Sequence, residues 1–243
     1  MPGQWEMSTQ VFFTRATGTV DWSYATTGTA NTQVDLNNDF GVPGHDTLVE
    51  YSVRYQMRPS WSLHYSILPF ESRGGLTTES SFDFGGWNIP SGSAVQTLWQ
   101  FAYHRVGIMY HPISTPFSLV SVFNYWVFND QRLRLDSDIC GGVQNTVDRE
   151  RSMIMSGIEV QKCIRTLPNA ATLSSDSRIG LGYLDDTFLV DFQAALQFSV
   201  PMNVGRRGYA KGGYRLIQVN EDRSGLRLDS NLEGGFVEFG LIF

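Results

Sequence analysis

Several clusters in this sequence hold residue types that bind cations, move protons or act as nucleophiles. Asp35, Asn37 and Asp39 repeat oxygen ligands at alternate positions, the spacing at which carboxylates and an amide converge on a hard cation such as calcium. The stretch that follows lacks a glycine at the sixth position and a clear glutamate at the twelfth, so the favoured reading is a turn whose Asx side chains bond nearby backbone. His45-Asp46 and Asp185-Asp186 bring acids and an imidazole to loop positions, where they could serve acid–base hydrolysis or simply be solvated. His64 and Ser66 stand two apart on one polar face, with no partner Asn identifiable. Cys140 and Cys163 are expected to lie too far apart to bridge, and no CxxC is present, so neither a metal nor a cofactor is expected.

A larger set of charges shares the polar face of alternating segments. Arg15, Asp21, Glu50, Arg54, His64, Glu159, Asp176, Arg178, Asp191, Lys211, Arg215 and Glu238 carry both signs. If that face is enclosed, such groups must pair. They would then line, and largely fill, an interior.

The elements that position these residues follow from composition and periodicity. The net charge of −6 disfavours a nucleic-acid partner, which would call for a basic stripe. No apolar run approaches about 18 residues, so no transmembrane helix is expected. A membrane barrel escapes that test because only alternate residues face lipid. Aromatics at 13% and 24 glycines suit curved strands with interfacial aromatic girdles. The opening MPGQWEM has no basic segment followed by an apolar run, so a form with its signal peptide removed is expected.

Period-two alternation predicts about ten strands. In residues 47–57, Val49, Tyr51, Val53, Tyr55 and Met57 oppose Glu50, Ser52, Arg54 and Gln56. Residues 188–200 repeat the pattern over a length that exceeds the five or six residues usual in soluble sheets. The other strands are expected near 10–24, 61–72, 95–110, 117–135, 152–165, 172–184, 207–220 and 232–243. Short Pro-containing turns fall near 58–60, 111–116, 166–170 and 201–206. Longer polar loops are expected at 25–46, 73–94, 136–150 and 221–231, while the Asp185-Asp186 connection is short. Two strands resist phasing. Trp99, Phe101 and Tyr103 are odd-numbered, but Val106, Ile108 and Tyr110 are even, which predicts a bulge near His104-Arg105. The strand SLVSVFNYWVF is apolar on both faces.

The end of the chain, with Val237, Phe239, Leu241 and a final Phe243 alternating, resembles the last strand of bacterial outer-membrane barrels. That resemblance implies that Phe239, Leu241 and Phe243 form the signal read by the barrel-assembly machinery. Gly18-Thr19-Val20, then Val34-Asp35-Leu36-Asn37-Asn38-Asp39-Phe40-Gly41, is similar to a proteobacterial group of small outer-membrane proteins with a DL-x-x-D-[LF]-G stretch before the second strand. The group implies fold and location rather than an activity. The His64/Ser66 pair resembles that of the outer-membrane phospholipase, whose catalytic groups face lipid. Here Trp61, Leu63, Tyr65 and Ile67 take that face, which sends His64 and Ser66 inward. A ten-stranded barrel with acids and a His at its rim is also similar in outline to the omptin proteases, without a further omptin motif.

The expectation is thus an all-β, single-domain protein over residues 1–243: a transmembrane, antiparallel, up-and-down β-barrel of about ten strands (eight to twelve). It is expected in the Gram-negative outer membrane, with both termini periplasmic. The expected role is non-enzymatic, with no catalytic residue, a filled lumen, and interactions made through external loops. A narrow porin-like channel and an outer-rim hydrolase are the alternatives. Expected partners are outer-membrane lipid or lipopolysaccharide, the assembly machinery and an envelope protein. Phe82, Phe84 and Trp87 are the candidate loop surface, since such side chains are costly in water unless they fold back or bind.

Overall fold

In the computed structural model, which describes residues 3–22, 32–79, 81–84, 87–137, 143–202, 205–223 and 226–243, the alternating segments form ten long strands. They are β1 (Gln4–Trp22), β2 (His45–Arg58), β3 (Trp61–Thr77), β4 (Ala94–Ser114) and β5 (Ser118–Ser137). The rest are β6 (Val143–Thr166), β7 (Thr172–Leu184), β8 (Thr187–Pro201), β9 (Arg207–Arg223) and β10 (Leu226–Ile242). Each pairs antiparallel with the next, and β10 returns to β1 from Glu6↔Ile242 to Trp22↔Leu226. The result is a closed up-and-down barrel, without an α-helix among the described residues. Closure pairs every strand with both neighbours in the turn-end half of the wall.

Gly3, Phe243, the tight turns at 59–60, 115–117 and 167–171, and the backbone bond from Met202 to Arg206 lie at one end, the turn end. At the opposite, loop end, the strands continue further than their alternation suggested. β6 begins at Val143 and β10 at Leu226, so much of the loops expected at 136–150 and 221–231 is wall. Strands of up to 24 residues exceed the 9–11 or so that cross a bilayer.

That surplus explains the strands that resisted phasing. In β4, Val95, Thr97, Trp99, Tyr103, Arg105, Met109 and His111 are all buried, an unbroken odd-numbered inner face. Pairing with β3 runs through Ser66↔Arg105 and Ile67↔His104 without a shift. The bulge expected at His104-Arg105 is therefore absent; the irregularity lies between Tyr110 and Ile113, against β5. What changes near His104 is chemistry. Toward the turn end, the inner face is polar (Arg105, His111) and the outer apolar (Val106, Ile108, Tyr110); toward the loop end the order reverses.

The same reversal occurs at the same level around the ring. On β3, buried Ser62, His64 and Ser66 give way to buried Leu68 and Phe70, while outward Leu63 and Tyr65 give way to Glu71 and Arg73. On β10, Glu238 gives way to Phe236, Leu232 and Leu228 inside. On β5, Phe123, Tyr125 and Val127 lie inside while Val122, Trp126 and Phe128 are outside, because this strand crosses the level where both faces are apolar.

The loop-end half is filled by its own core, to which Phe12, Leu68, Trp99, Leu133 and Ile217 contribute. The segment after Val34 completes it. Its short strand Thr32–Asp35 pairs with the top of β1, and Leu36, Phe40 and Val42 are buried in the core. This segment also occupies a seam. β2 pairs with β3 only from Tyr51↔Ile67 downward, although β3 pairs with β4 as far as Thr77↔Ala94. In the open stretch Gly41, at φ 64°, lies against Gly74 and Gly75, where a Cβ on Gly74 would strike the Gly41 carbonyl.

Candidate functional site: a charged lumen closed at mid-height

The inner face of the turn-end half gathers charges from eight strands. Its centre is a buried belt of two carboxylates and two guanidiniums. Arg105 on β4 binds Asp191 of β8 at 2.7 Å and Glu50 of β2, and donates to Ser66 Oγ at 2.9 Å. Arg215 on β9 closes the ring, reaching Glu50 at 2.6 Å and Asp191 at 3.0 Å, with Nε donating to Asp191 Oδ1 at 3.2 Å. Arg105 and Arg215 are fully buried, at 0% exposure. Charges so enclosed are tolerable only with this density of partners. Arg178 of β7 adds a longer contact to Asp191 at 3.5 Å.

Nearer the turn end lies a second tier. Arg54 meets both oxygens of Glu159 at 3.3 Å and Glu6 at 3.6 Å. Lys211 joins Asp176 at 3.0 Å and Glu238 at 3.5 Å, while the Tyr209 hydroxyl contacts Glu6 and Glu238 at 2.8 and 2.9 Å. His111 bridges Ser62 and Ser121 at 3.0 and 2.8 Å. His64 stacks on Tyr125 with ring centroids 4.9 Å apart.

These tiers surround a cavity of about 380 Å³, lined by Glu6, Arg54, His64, Glu159, Asp176 and Lys211 among others. Gln4, Trp5, Pro59 and Ile242 also line it, so it meets the turn end. Glu50 and Arg178 border its inner limit, and beyond the belt stands the apolar core. The cavity is a blind vestibule.

Ten of the twelve charges expected inside are found there, joined in these two tiers or, for His64, stacked beside them. Arg15 is not: it is exposed, on the odd-numbered outward side of β1, and Asp21 shares that parity. Above the level of reversal the outer face is itself polar, so a charge there does not mark the lumen. Arg105, Glu6, Gln10 and Tyr209 are lumen residues that the sequence reading missed. Extending each strand's inner parity without a bulge finds all four.

Phe82 does not form an external surface. It is buried and meets Phe40 with ring centroids 5.7 Å apart, so this part of the 74–93 loop folds onto the core. The side chains of Phe84 and Trp87 lie outside the described residues, as does Cys140. Cys163 is a free thiol. Phe239, Leu241 and Phe243 are exposed on the outer face of β10. The Asp35–Asp39 segment forms Asx turns: Asp35 Oδ1 accepts the Asn37 and Asn38 amides at 2.8 Å, and Asp39 Oδ2 accepts the Asp35 amide at 2.8 Å. His45-Asp46 and Asp185-Asp186 are not brought together. From β2 to the β7–β8 turn the ring interposes β10, β1 and β9 on one side and β3 to β6 on the other.

No protein-family model and no curated protein matches the sequence. Among solved structures, the chain is similar to the outer-membrane protease OmpT of Escherichia coli, with a TM-score of 0.51 at 9% identity, covering 100% of this chain and 97% of that one. It is also similar to Ail, the attachment invasion locus protein of Yersinia pestis (TM-score 0.43, 11% identity, 100% of both chains). A third is the toluene transporter TodX of Pseudomonas putida (TM-score 0.35, 8% identity, 98% of this chain and 89% of that one). At these identities the likeness to OmpT concerns the barrel fold alone.

Proposed function

We propose that this chain is an integral outer-membrane barrel of a Gram-negative bacterium, non-enzymatic, with a shut lumen and a projecting loop-end half that acts as a structural or interaction module. The outward apolar belt, with Tyr51 at 52% and Phe239 at 61% exposure, supports the membrane placement, because only lipid makes such a surface favourable on a closed wall. In this reading the turn end and both termini are periplasmic, and Phe239, Leu241 and Phe243 are the signal for the assembly machinery. The projecting half offers its polar outer wall, including Glu71, Arg73, Arg134 and Asp136, to lipopolysaccharide or an envelope protein.

The observation that carries the shut lumen is its double closure, by the Arg105–Glu50–Arg215–Asp191 belt and by the apolar core above it. Ten strands leave little bore beyond what side chains fill. Planar-bilayer recording of the purified barrel tests this: a silent membrane is expected, and discrete current steps would establish the porin-like alternative. That alternative draws on the vestibule, which opens part of the path.

A further inference from the structure

The polar groups left without a protein partner in the lower lumen are groups that can donate a hydrogen bond. His64 is buried at 6% exposure and lines the vestibule, yet neither ring nitrogen has a hydrogen-bond partner within the protein. The hydroxyl of Tyr125, on which His64 stacks, is likewise unpartnered, as are Arg178 Nε, Arg54 Nε and Gln10 Nε2. Every one of these groups can donate. None is a carboxylate, because Glu6, Glu50, Glu159, Asp176 and Glu238 each hold a cation or a hydroxyl already. Buried polar groups in folded proteins are matched by protein, solvent or ligand, and the complement to a set of donors is an acceptor.

Arg178 strengthens the case. Asp191 is its only ion-pair partner among the described residues, at 3.5 Å, and that carboxylate already serves Arg105 at 2.7 Å and Arg215 at 3.0 Å. A guanidinium offers five donors in a fork that fits a planar or tetrahedral oxyanion. Arg178 borders the vestibule where Glu50 and Gln10 also line it, with His64 alongside. The Glu6 and Glu238 carboxylates that also line the vestibule are engaged by Arg54, Lys211 and the Tyr209 hydroxyl, which offsets their charge on the way to Arg178.

We infer that the inner end of the vestibule binds a small oxyanion, a carboxylate or a phosphate group, held by Arg178, His64 and the Gln10 side-chain amide and entering from the turn end. This makes the barrel a ligand carrier or sensor on that side as well as a plug. It does not depend on the role proposed for the loop-end half.

The test is titration of the folded, detergent-solubilised barrel with inorganic phosphate and, separately, acetate, followed by calorimetry and by phosphorus line broadening. Saturable binding of at least one is expected below about 10 mM, and the two arms separate phosphate-type from carboxylate ligands. Arg178→Gln should weaken it roughly tenfold or more, and His64→Phe by a few fold, since each removes a donor to the anion. His64→Phe keeps a ring stacked on Tyr125 and keeps the test valid if Arg178→Gln fails to fold. Arg132→Gln, on the outer wall, should change nothing. No saturable binding of either probe, or binding unaltered by both Arg178→Gln and His64→Phe, would overturn the inference and leave those donors to water.

Discussion

The turn-end and loop-end halves of this barrel are built from the same ten strands, yet each is the other turned inside out. Below the level of Arg105, charge lies within and apolar side chains lie without; above it, Trp99, Phe12 and Leu68 lie within, while Glu71 and Arg73 lie without. The hydrophobic effect accounts for both, because apolar surface goes wherever water is not. The two halves therefore differ in how they hold together. The upper half relies on packing, like a soluble domain; the lower relies on paired charges within a wall whose outer face is apolar.

Removing one member of the belt should cause the largest loss. Asp191→Asn strips three guanidiniums of a shared carboxylate and is expected to cost about 3–5 kcal/mol in a urea unfolding titration of the lipid-reconstituted barrel. Replacing Glu50, Arg105, Arg178, Asp191 and Arg215 together with apolar residues of similar volume should cost far less, since no orphan charge remains. A similar loss from the fivefold variant would show that the belt stabilises by more than mutual compensation.

Trp99→Ala should destabilise the upper half by about 3–4 kcal/mol through cavity formation. Limited proteolysis should then clip the loop end first while the turn-end wall stays protected. Simultaneous loss of both halves would mean that the two cores fold as one unit. Leu196→Arg, in the outward belt, is expected to cost about 2–4 kcal/mol. Gln96→Arg, outward on β4 above the reversal, should stay within about 0.5 kcal/mol. Equal costs would erase the distinction between the halves.

A more local effect concerns the seam. Gly74→Ala should cost about 1–3 kcal/mol, because its Cβ meets the Gly41 carbonyl and must push the Asp35–Val42 segment away. Faster amide exchange at Leu36 and Val42, whose amides bond the Gly18 and Leu36 carbonyls, is the accompanying sign. Unchanged exchange would mean that the segment is held by its own Asx turns alone.

The wall was largely legible in the residues. Tyr51, Phe192 and Phe239 do face outward, with Asp191 and Glu238 enclosed, and the tight turns lie near the expected prolines, except that residues 111–114, expected to start a turn, end the strand β4. What stayed hidden came from one assumption, that a single inside–outside rule applies along a whole strand. It moved the β4 aromatics to the wrong side through an imagined bulge, removed Arg105 from the lumen, put Arg15 and Asp21 into it, and read the loop-end stretches of β6 and β10 as loops. The DLNNDFG stretch showed its turn chemistry in the Asx spacing. That its Leu36 and Phe40 fill a barrel mouth depends on contacts with Gly18 and Phe82, far away in the chain.

Nitroxide scanning along one outer stripe tests the reversal most directly. With Cys140 and Cys163 replaced by serine, single labels at Leu63, Ile67, Glu71 and Arg73 of β3 would be examined in lipid bilayers for collision with oxygen and with a water-soluble nickel chelate. Labels at Leu63 and Ile67 should collide mainly with oxygen, and those at Glu71 and Arg73 mainly with nickel. Nickel access at Leu63 and Ile67 equal to that at Arg73 would contradict a lipid boundary at this level, and the inside-out relation of the two halves would lose its cause.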